Sequence, residues 1–506
     1  MTCSRHLAAT TALVSILGAT PLAAEVTPAD VWADFKRYLE DFGYSVTADE
    51  AQDGGALVVT GIAMTMEMPE DAGAISVSLG EMRFEDNGDG SVGVVIPPAL
   101  PITMNLAVDG EPIEATLSYG TEAFEMNVSG DPDDMTYDYS ADRMTLEVTG
   151  IEVEGEAVPP DMVTARLEMT GVDGGSTTRT GNLRTLEQEV RAAGMTYDVR
   201  IAPPEEGVLA VSGTSGEVIS TSTTSMPLEF DMEDIAAMVE AGFAVAGDFT
   251  YSDGSSTFSF DEEGAVTQGT SSTTSGTLGF TMGADGLGYR LGADGLKTEM
   301  QSAELPFPVS LEAAQMLLDF LVPVSQGEDP QDAAVKLILR DIQVSDMIWM
   351  LIDGQQILPR DPATLVIDLS GTVRMMMDLF DPEQMMAMES GEALPAVPES
   401  LTINELTVSA AGARIEGEGA VTFDPSDMQT IPGVPRPQGQ VNLTAQGVNG
   451  LIDRLIRMGV MSEQDAMGGR MMMSMFTVPG EGEDNLRSTI EINEQGHVLA
   501  NGQRIR

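Results

Sequence analysis

One cysteine, two histidines and three lysines stand among 506 residues. Cys3 and His6 stand at the very start, so most of the chain has no thiol and a single imidazole, His497. A disulfide framework is excluded, and a chain of this length can bury large cores without one. Zinc sites lean on Cys and His, which are missing. The lysines are Lys36, Lys297 and Lys336, and 24 basic residues face 81 acidic ones for a net charge of −57. Binding of nucleic acid requires basic patches that release counterions from phosphate, so that partner class is excluded. Anionic membrane surfaces should repel the chain for the same reason. The acidity serves solubility in a salty medium, where charges are screened beyond about 8 Å.

Catalytic signatures are also missing. There is no Gly-x-Ser-x-Gly, no His-Glu-x-x-His, no phosphate-cradling glycine loop before a lysine and no dinucleotide fingerprint. No catalytic residue and no cofactor is assigned. A pair of carboxylates could still run glycoside hydrolysis, and 81 acids leave a carboxylate-dependent carbohydrate-active enzyme open as an alternative.

What is present begins with an export signal. Arg5 and His6 precede an uncharged apolar stretch from Leu7 to Leu22, and Pro21-Leu22-Ala23-Ala24 offers small residues before Glu25. This pattern reads as a signal peptide over residues 1–24, cut after Ala24. The stretch falls short of the ~20 apolar residues of a bilayer-spanning helix. The alternative is an uncleaved N-terminal anchor in the inner membrane, with the chain facing the periplasm. No later segment spans a membrane: Ala333 to Ile352 is interrupted by Lys336, Arg340, Asp341 and Asp346. The expected location is therefore periplasmic or exported.

The remainder reads as mainly β, a β-rich α+β chain of large curved antiparallel sheets with a few packed amphipathic helices. Thr27-Pro28 opens a helix carrying Val31, Trp32, Phe35, Leu39 and Phe42. Period-two runs follow, among them Ile62/Met64/Met66/Met68, Ile75/Val77/Leu79, Ile102/Met104/Leu106/Val108, Leu278/Phe280/Met282 and Tyr289/Leu291. Alternation gives one apolar and one wet face. Short turn signals between runs favour antiparallel meanders. The parity slips at Gly61 and Gly80, which predicts bulges that curve the sheet. Gly283-Ala284-Asp285-Gly286-Leu287 recurs at Gly292 to Leu296 and reads as a pair of sheet turns. An N-terminal half over 25–300 and a C-terminal half over 301–506 are expected, the latter with helices near 310–322 and 449–476. Ser310 with Leu311, Ala314, Leu317, Leu318 and Leu321 prompts the first of these helices.

Methionine is abundant, at 34 residues. Clusters stand at Met64/Met66/Met68, Met375–Met377, Met385/Met386/Met388 and Met471–Met473 with Met475. Thioethers suit Cu(I), which makes a periplasmic copper-binding protein an alternative, with Met64, Met66 and Met68 as its ligands. Methionine also fills core gaps and lines adaptable apolar surfaces. Ile62, Met64, Met66, Met68, Met104 and Leu106 are the candidate apolar ligand-binding face.

Leu358-Pro359-Arg360-Asp361-Pro362-Ala363-Thr364-Leu365, continuing through Ile367 to Gly371 and to Asp378-Leu379-Phe380-Asp381, resembles an uncharacterised exported family of alphaproteobacteria. Gly439 to Leu443 and Val448 to Ile452 add to the likeness. That family is a domain-of-unknown-function group with distant AsmA-like relatives. The resemblance implies an envelope location and a curved β-sheet that cradles lipid; it implies no catalytic residue. AsmA-like proteins usually keep an N-terminal membrane anchor, and the cleavable-looking start departs from that. The reading is a non-enzymatic exported protein of the cell envelope, with a lipid or another envelope component as its partner.

Overall fold

The computed structural model describes residues 25–67, 74–108, 111–203, 207–229, 234–389, 395–428 and 434–505. The expected leader, its cut after Ala24, and Met68 lie outside these. The structure is mainly β, with a single large antiparallel sheet.

In chain order the elements are α1 (Pro28–Asp41), β1 (Ser45–Asp53), β2 (Ala56–Glu67), β3 (Ala74–Leu79), β4 (Met82–Asp86), β5 (Val92–Val95), β6 (Ala99–Val108), β7 (Glu111–Glu122), β8 (Glu125–Asp131), β9 (Asp134–Val153) and β10 (Glu156–Ala157). Next come β11 (Val163–Thr180), β12 (Leu183–Ile201), β13 (Val208–Ser215), β14 (Val218–Pro227), α2 (Ile235–Glu240), β15 (Ala244–Glu262), β16 (Ala265–Gly283), β17 (Gly286–Ser302), β18 (Val309–Val322) and β19 (Gln331–Val344). The chain closes with α3 (Asp346–Ile352), β20 (Ala363–Met375), α4 (Pro382–Glu389), β21 (Ala396–Ala410), β22 (Ala413–Asp424), β23 (Arg436–Gln446), α5 (Val448–Met458), α6 (Glu463–Phe476), β24 (Val478–Pro479), β25 (Asn485–Ile492), β26 (Val498–Ala500) and β27 (Gln503–Arg504).

From β15 to β23 each strand pairs with the next, a plain meander. Pairing runs unbroken past residue 300, where β17 meets β18 from Leu287↔Val322 to Met300↔Val309. Tight turns permit this, since antiparallel neighbours need only a few linking residues.

One line of irregularity crosses the sheet. Gly61, Ala123, Gly171, Asp253, Gly295 and Asp341 all have left-handed backbones, with φ between +48° and +61°. Pairing registers put them level. Gly171 falls between Thr170↔Gly194 and Val172↔Ala192, Asp253 between Ser252↔Ser275 and Gly254↔Thr273, and Asp341 between Gln315↔Arg340 and Glu312↔Gln343. At the same level β3 is separated from β4, β6 from β5, and β13 from β14. At Gly61 and Asp341 a strand carries one residue more than a neighbour, a β-bulge; at Gly171, Asp253 and Gly295 the facing strands keep equal counts, and the apolar side changes on both together. The expected parity slips at Gly61 and Gly80 lie on this line. The second glycine-aspartate repeat does too: Gly283 to Leu287 is the β16–β17 turn, but Gly295 sits within β17, so only one of the pair is a turn between strands.

The line divides the sheet into two limbs whose apolar sides meet. On the first limb, rungs align Tyr139, Gly174, Val190, Ser220, Phe249, Leu278, Leu291, Leu318, Leu337, Ile367 and Leu406 on one face. On the second limb, Ile62, Leu79, Ile102, Leu117 and Val148 align; so do Ala165, Val199, Val211, Phe258, Gly269 and Met300. At the crease Ala141, Met144, Val172, Ala192 and Val218 are buried between Tyr119, Met169 and Met195 from the second limb and Tyr139, Val190, Phe249 and Tyr251 from the first. Alanines and valines there let the limbs close, because a bulkier side chain would hold them apart.

Helix α1 fills one end of the resulting trough. Thr27 and Asp30 form its capping box, and Pro28 opens the first turn. Val31 and Trp32 are buried against Val59, Ile62, Met64, Phe84, Val92, Val128 and Met135. Arg184 anchors it: the guanidinium donates to Asp34 Oδ1 at 2.8 Å and to Asp41 Oδ2 at 2.6 Å. Tyr137 donates to Asp34 Oδ2 at 2.7 Å, and burial, then the charge of Asp34, push its phenol far above the ordinary range.

The helix expected near 310–322 is strand β18. Leu318 and Phe320 line the apolar side, while Leu317 faces the other way in a rung with Ile338 and Val366, which are buried. A strand apolar on both faces loses its alternation and imitates helical spacing. The two helices expected within 449–476 are α5 and α6.

Three substitutions test this arrangement. Arg184→Ala leaves Asp34 buried without its cation, and urea unfolding should show a loss of about 3–5 kcal/mol. Gly171→Val forces a branched side chain into the left-handed region, with its Cβ 3.0 Å from that of Ala193, and should cost ~1–3 kcal/mol. Asp253→Gly, at the same level, should change stability by less than ~1 kcal/mol, since relief of strain offsets added chain entropy. Equal effects of these last two substitutions would sink the crease account.

Candidate functional site: an apolar trough

The apolar side remains open along much of its length. Leu278, Phe280, Leu291, Leu318, Val322 and Val335 are 38–51 % exposed on the first limb. Leu146, Ile201, Leu209 and Phe260 do the same on the second. Their rungs place each set on one face, so the exposure is contiguous rather than scattered. Isolated exposed apolar residues are ordinary, but a continuous face marks a contact site. From β15 to β23 nine strands at ~4.8 Å give a wall about 38 Å long. The wall is less greasy at β11–β14, where Ser176, Gln188 and Ser222 share a rung line.

Aromatic rings lie flat in this floor. Tyr139 covers Gly174, Tyr197 covers Gly213, Tyr251 covers Gly276 and Phe258 covers Gly269, each across a rung. A Cβ on Gly276 would fall 2.2 Å from the Tyr251 ring. Glycine thus accommodates the ring, which covers backbone that would otherwise face solvent. At the crease Tyr197, Phe249 and Tyr251, with Ser256, Ser271 and Thr273, line a cavity of 190 Å³. No charged side chain lines it. Burial raises the phenols of Tyr119 and Tyr139 above their ordinary value.

The opposite face carries the charge. Arg290 bonds Asp319 at 2.9 Å and Lys336 bonds Asp368 at 2.7 Å, and those four side chains continue one another across β17–β20. Exposed pairs of this kind contribute little stability; they mark which side is wet. Two cavities of 660 and 620 Å³ are shallow hollows on this polar face. Asn127, Asp138, Gly175 and Glu189 share one rung in the first, and Asp198, Ser212, Thr257, Thr270 and Glu299 share one in the second. Their size does not make them the better site, because neither is enclosed by apolar walls.

The expected face residues divide. Ile62 and Met64 are buried beneath α1, in the closed end. Met66 and Met104 are half-buried on the same side of β2 and β6, and Leu106 pairs with Ile113 across β6–β7. The open stretch lies further along, at Leu278, Phe280 and Leu291, whose alternation marks strands but not exposure. The methionine clusters disperse: Met375 and Met377 are buried, while Met376 and Met386 are exposed. Among the described residues no group of three or more His, Cys, Asp or Glu is placed to hold a metal ion. His497 sits half-buried in the turn after β25, its backbone N–H donating to Asn493.

Among the described residues, carboxyl groups displaced from the ordinary range are displaced downward. A hydrogen bond from Lys336 lowers Asp368. For Asp484, burial raises the value but is outweighed by hydrogen bonds from the Gly450 and Asn449 amides and the Asn449 side chain. Asp484 accordingly secures the start of α5. None of these offers the raised carboxyl that a glycosidase acid requires.

The architecture is that of a β-sheet protein with an apolar trough. Residues 252–502, just under half of the chain, match the model of an uncharacterized protein family conserved in bacteria (DUF2125), so the second half is similar to a domain of unknown function. No curated protein and no solved structure matches the chain. No helix among the described residues is long and apolar enough to cross a membrane.

Because the folded pKa of Asp484 lies below its unfolded value, its contribution is present above about pH 4 and is lost as pH falls through the folded value. Asp484→Asn should therefore flatten the dependence of the urea midpoint on pH below ~4. Unchanged slopes in variant and parent would remove Asp484 from that role.

Proposed function

We propose that this chain is a non-enzymatic exported protein of the cell envelope, and that its trough holds a lipid or a similar elongated apolar molecule. The observation that carries the reading is the contiguous, half-exposed apolar face from β15 to β23. Covering a half-exposed Leu or Phe contributes on the order of 1 kcal/mol, and a molecule lying along the trough would cover several at once. An acyl chain spans one leaflet, ~15 Å of a ~30 Å hydrocarbon core, so the wall exceeds the reach of one such chain. Flat rings over glycine keep the floor low enough for a chain to lie on it. The AsmA-like resemblance, which implies a lipid-cradling sheet, agrees with this reading, as does the signal-peptide pattern over residues 1–24.

Mass spectrometry of extracts from gently purified protein should find co-purifying lipid in near-stoichiometric amount. Leu291→Asp combined with Phe280→Asp should reduce that lipid at least tenfold with little change in stability, since both side chains already meet solvent. Lipid-free protein from repeated preparations would refute the proposal.

A further inference from the structure

The two ends of the trough differ. Helix α1 is fixed by the buried Trp32 and by Arg184. At the other end, the Phe476 carbonyl closing α6 accepts from Ser488 Oγ at 2.6 Å and from Asn501 Nδ2 at 2.9 Å. Ser488 shares a rung line with Leu443, Gly417 and Leu406, so the end of α6 lies over the apolar side of the last strands. Ala466, Arg470, Met473 and Phe476 turn inward, with Arg470 held by Asp453 at 2.6 Å. Met467, Met471, Met472 and Met475 turn outward at 62–66 % exposure. Between Asp465 and Glu481 the single charge is Arg470, in a chain that is 21 % charged.

We propose that this methionine face of α6 rests on an uncharged lipid surface and places the end of the trough at a bilayer; the inference rests on the trough reading, for which it supplies the source of lipid. An amphipathic helix binds the interface through its apolar side, and flexible thioethers adapt to irregular acyl packing. Charge selects the occupant. A second copy would bring together two chains of net charge −57, and anionic lipid would meet the same repulsion. A zwitterionic surface meets neither obstacle at this near-neutral spot.

The test is flotation of the purified full chain with vesicles of phosphatidylcholine alone. The parent should float, Met471→Asp with Met475→Asp should lower the bound fraction at least tenfold, and Met471→Leu with Met475→Leu should retain it. Circular dichroism of the three should coincide, because these side chains are mostly exposed. A parent chain that stays in solution, or an aspartate variant that floats like the parent, overturns the proposal. So does a dimer, seen without vesicles, that the aspartate pair dissociates. A chain that floats but yields no lipid on extraction supports the docking and counts against the trough.

Discussion

Strands that cross the crease exchange the side toward which their apolar residues point, and the trough exists because they do so at the same level. A sheet with one greasy face must cover it. A second sheet is the usual solution. Here left-handed residues set level on several strands fold the sheet on itself, so that each half shields the other near the bend and opens away from it. Were these changes of side out of step, apolar rows would jump faces strand by strand and neither limb would present a continuous wall.

Charge and burial follow from that geometry. Acidic and basic residues collect on the outer face, where Arg290, Asp319, Lys336 and Asp368 alternate. The interior keeps Leu, Val, Phe and Met, with serine and glutamine thinning it near the middle. Closure is complete where α1 lies in the trough and Val59, Ile62 and Phe84 are almost inaccessible. Beyond that helix the same kind of row is half exposed. Proximity to α1 and to the crease, not side-chain chemistry, separates core from candidate binding surface.

Much of this was legible in residue order. Alternation at Ile62, Met64 and Met66, or at Leu278 and Phe280, identifies strands, because a two-residue period permits no other regular backbone. Gly61 and Gly80 betray the bend by breaking parity. Ala123, Asp253 and Asp341 do the same work without a glycine to announce them. Strand β18 hides its period, since Leu317 and Leu318 are both apolar on opposite sides.

Local periodicity and composition by themselves determined that the chain is mainly β, acidic, and nearly devoid of cysteine, histidine and lysine. They could not say whether Ile62 or Leu291 would meet solvent, because both belong to equally regular alternating runs. Tertiary structure decided that, through the level alignment of the crease on strands far apart in sequence and through the resting place of α1. Exposure depends on what lies across a gap, and that depends on pairing between residues hundreds of positions apart rather than on neighbours along the chain.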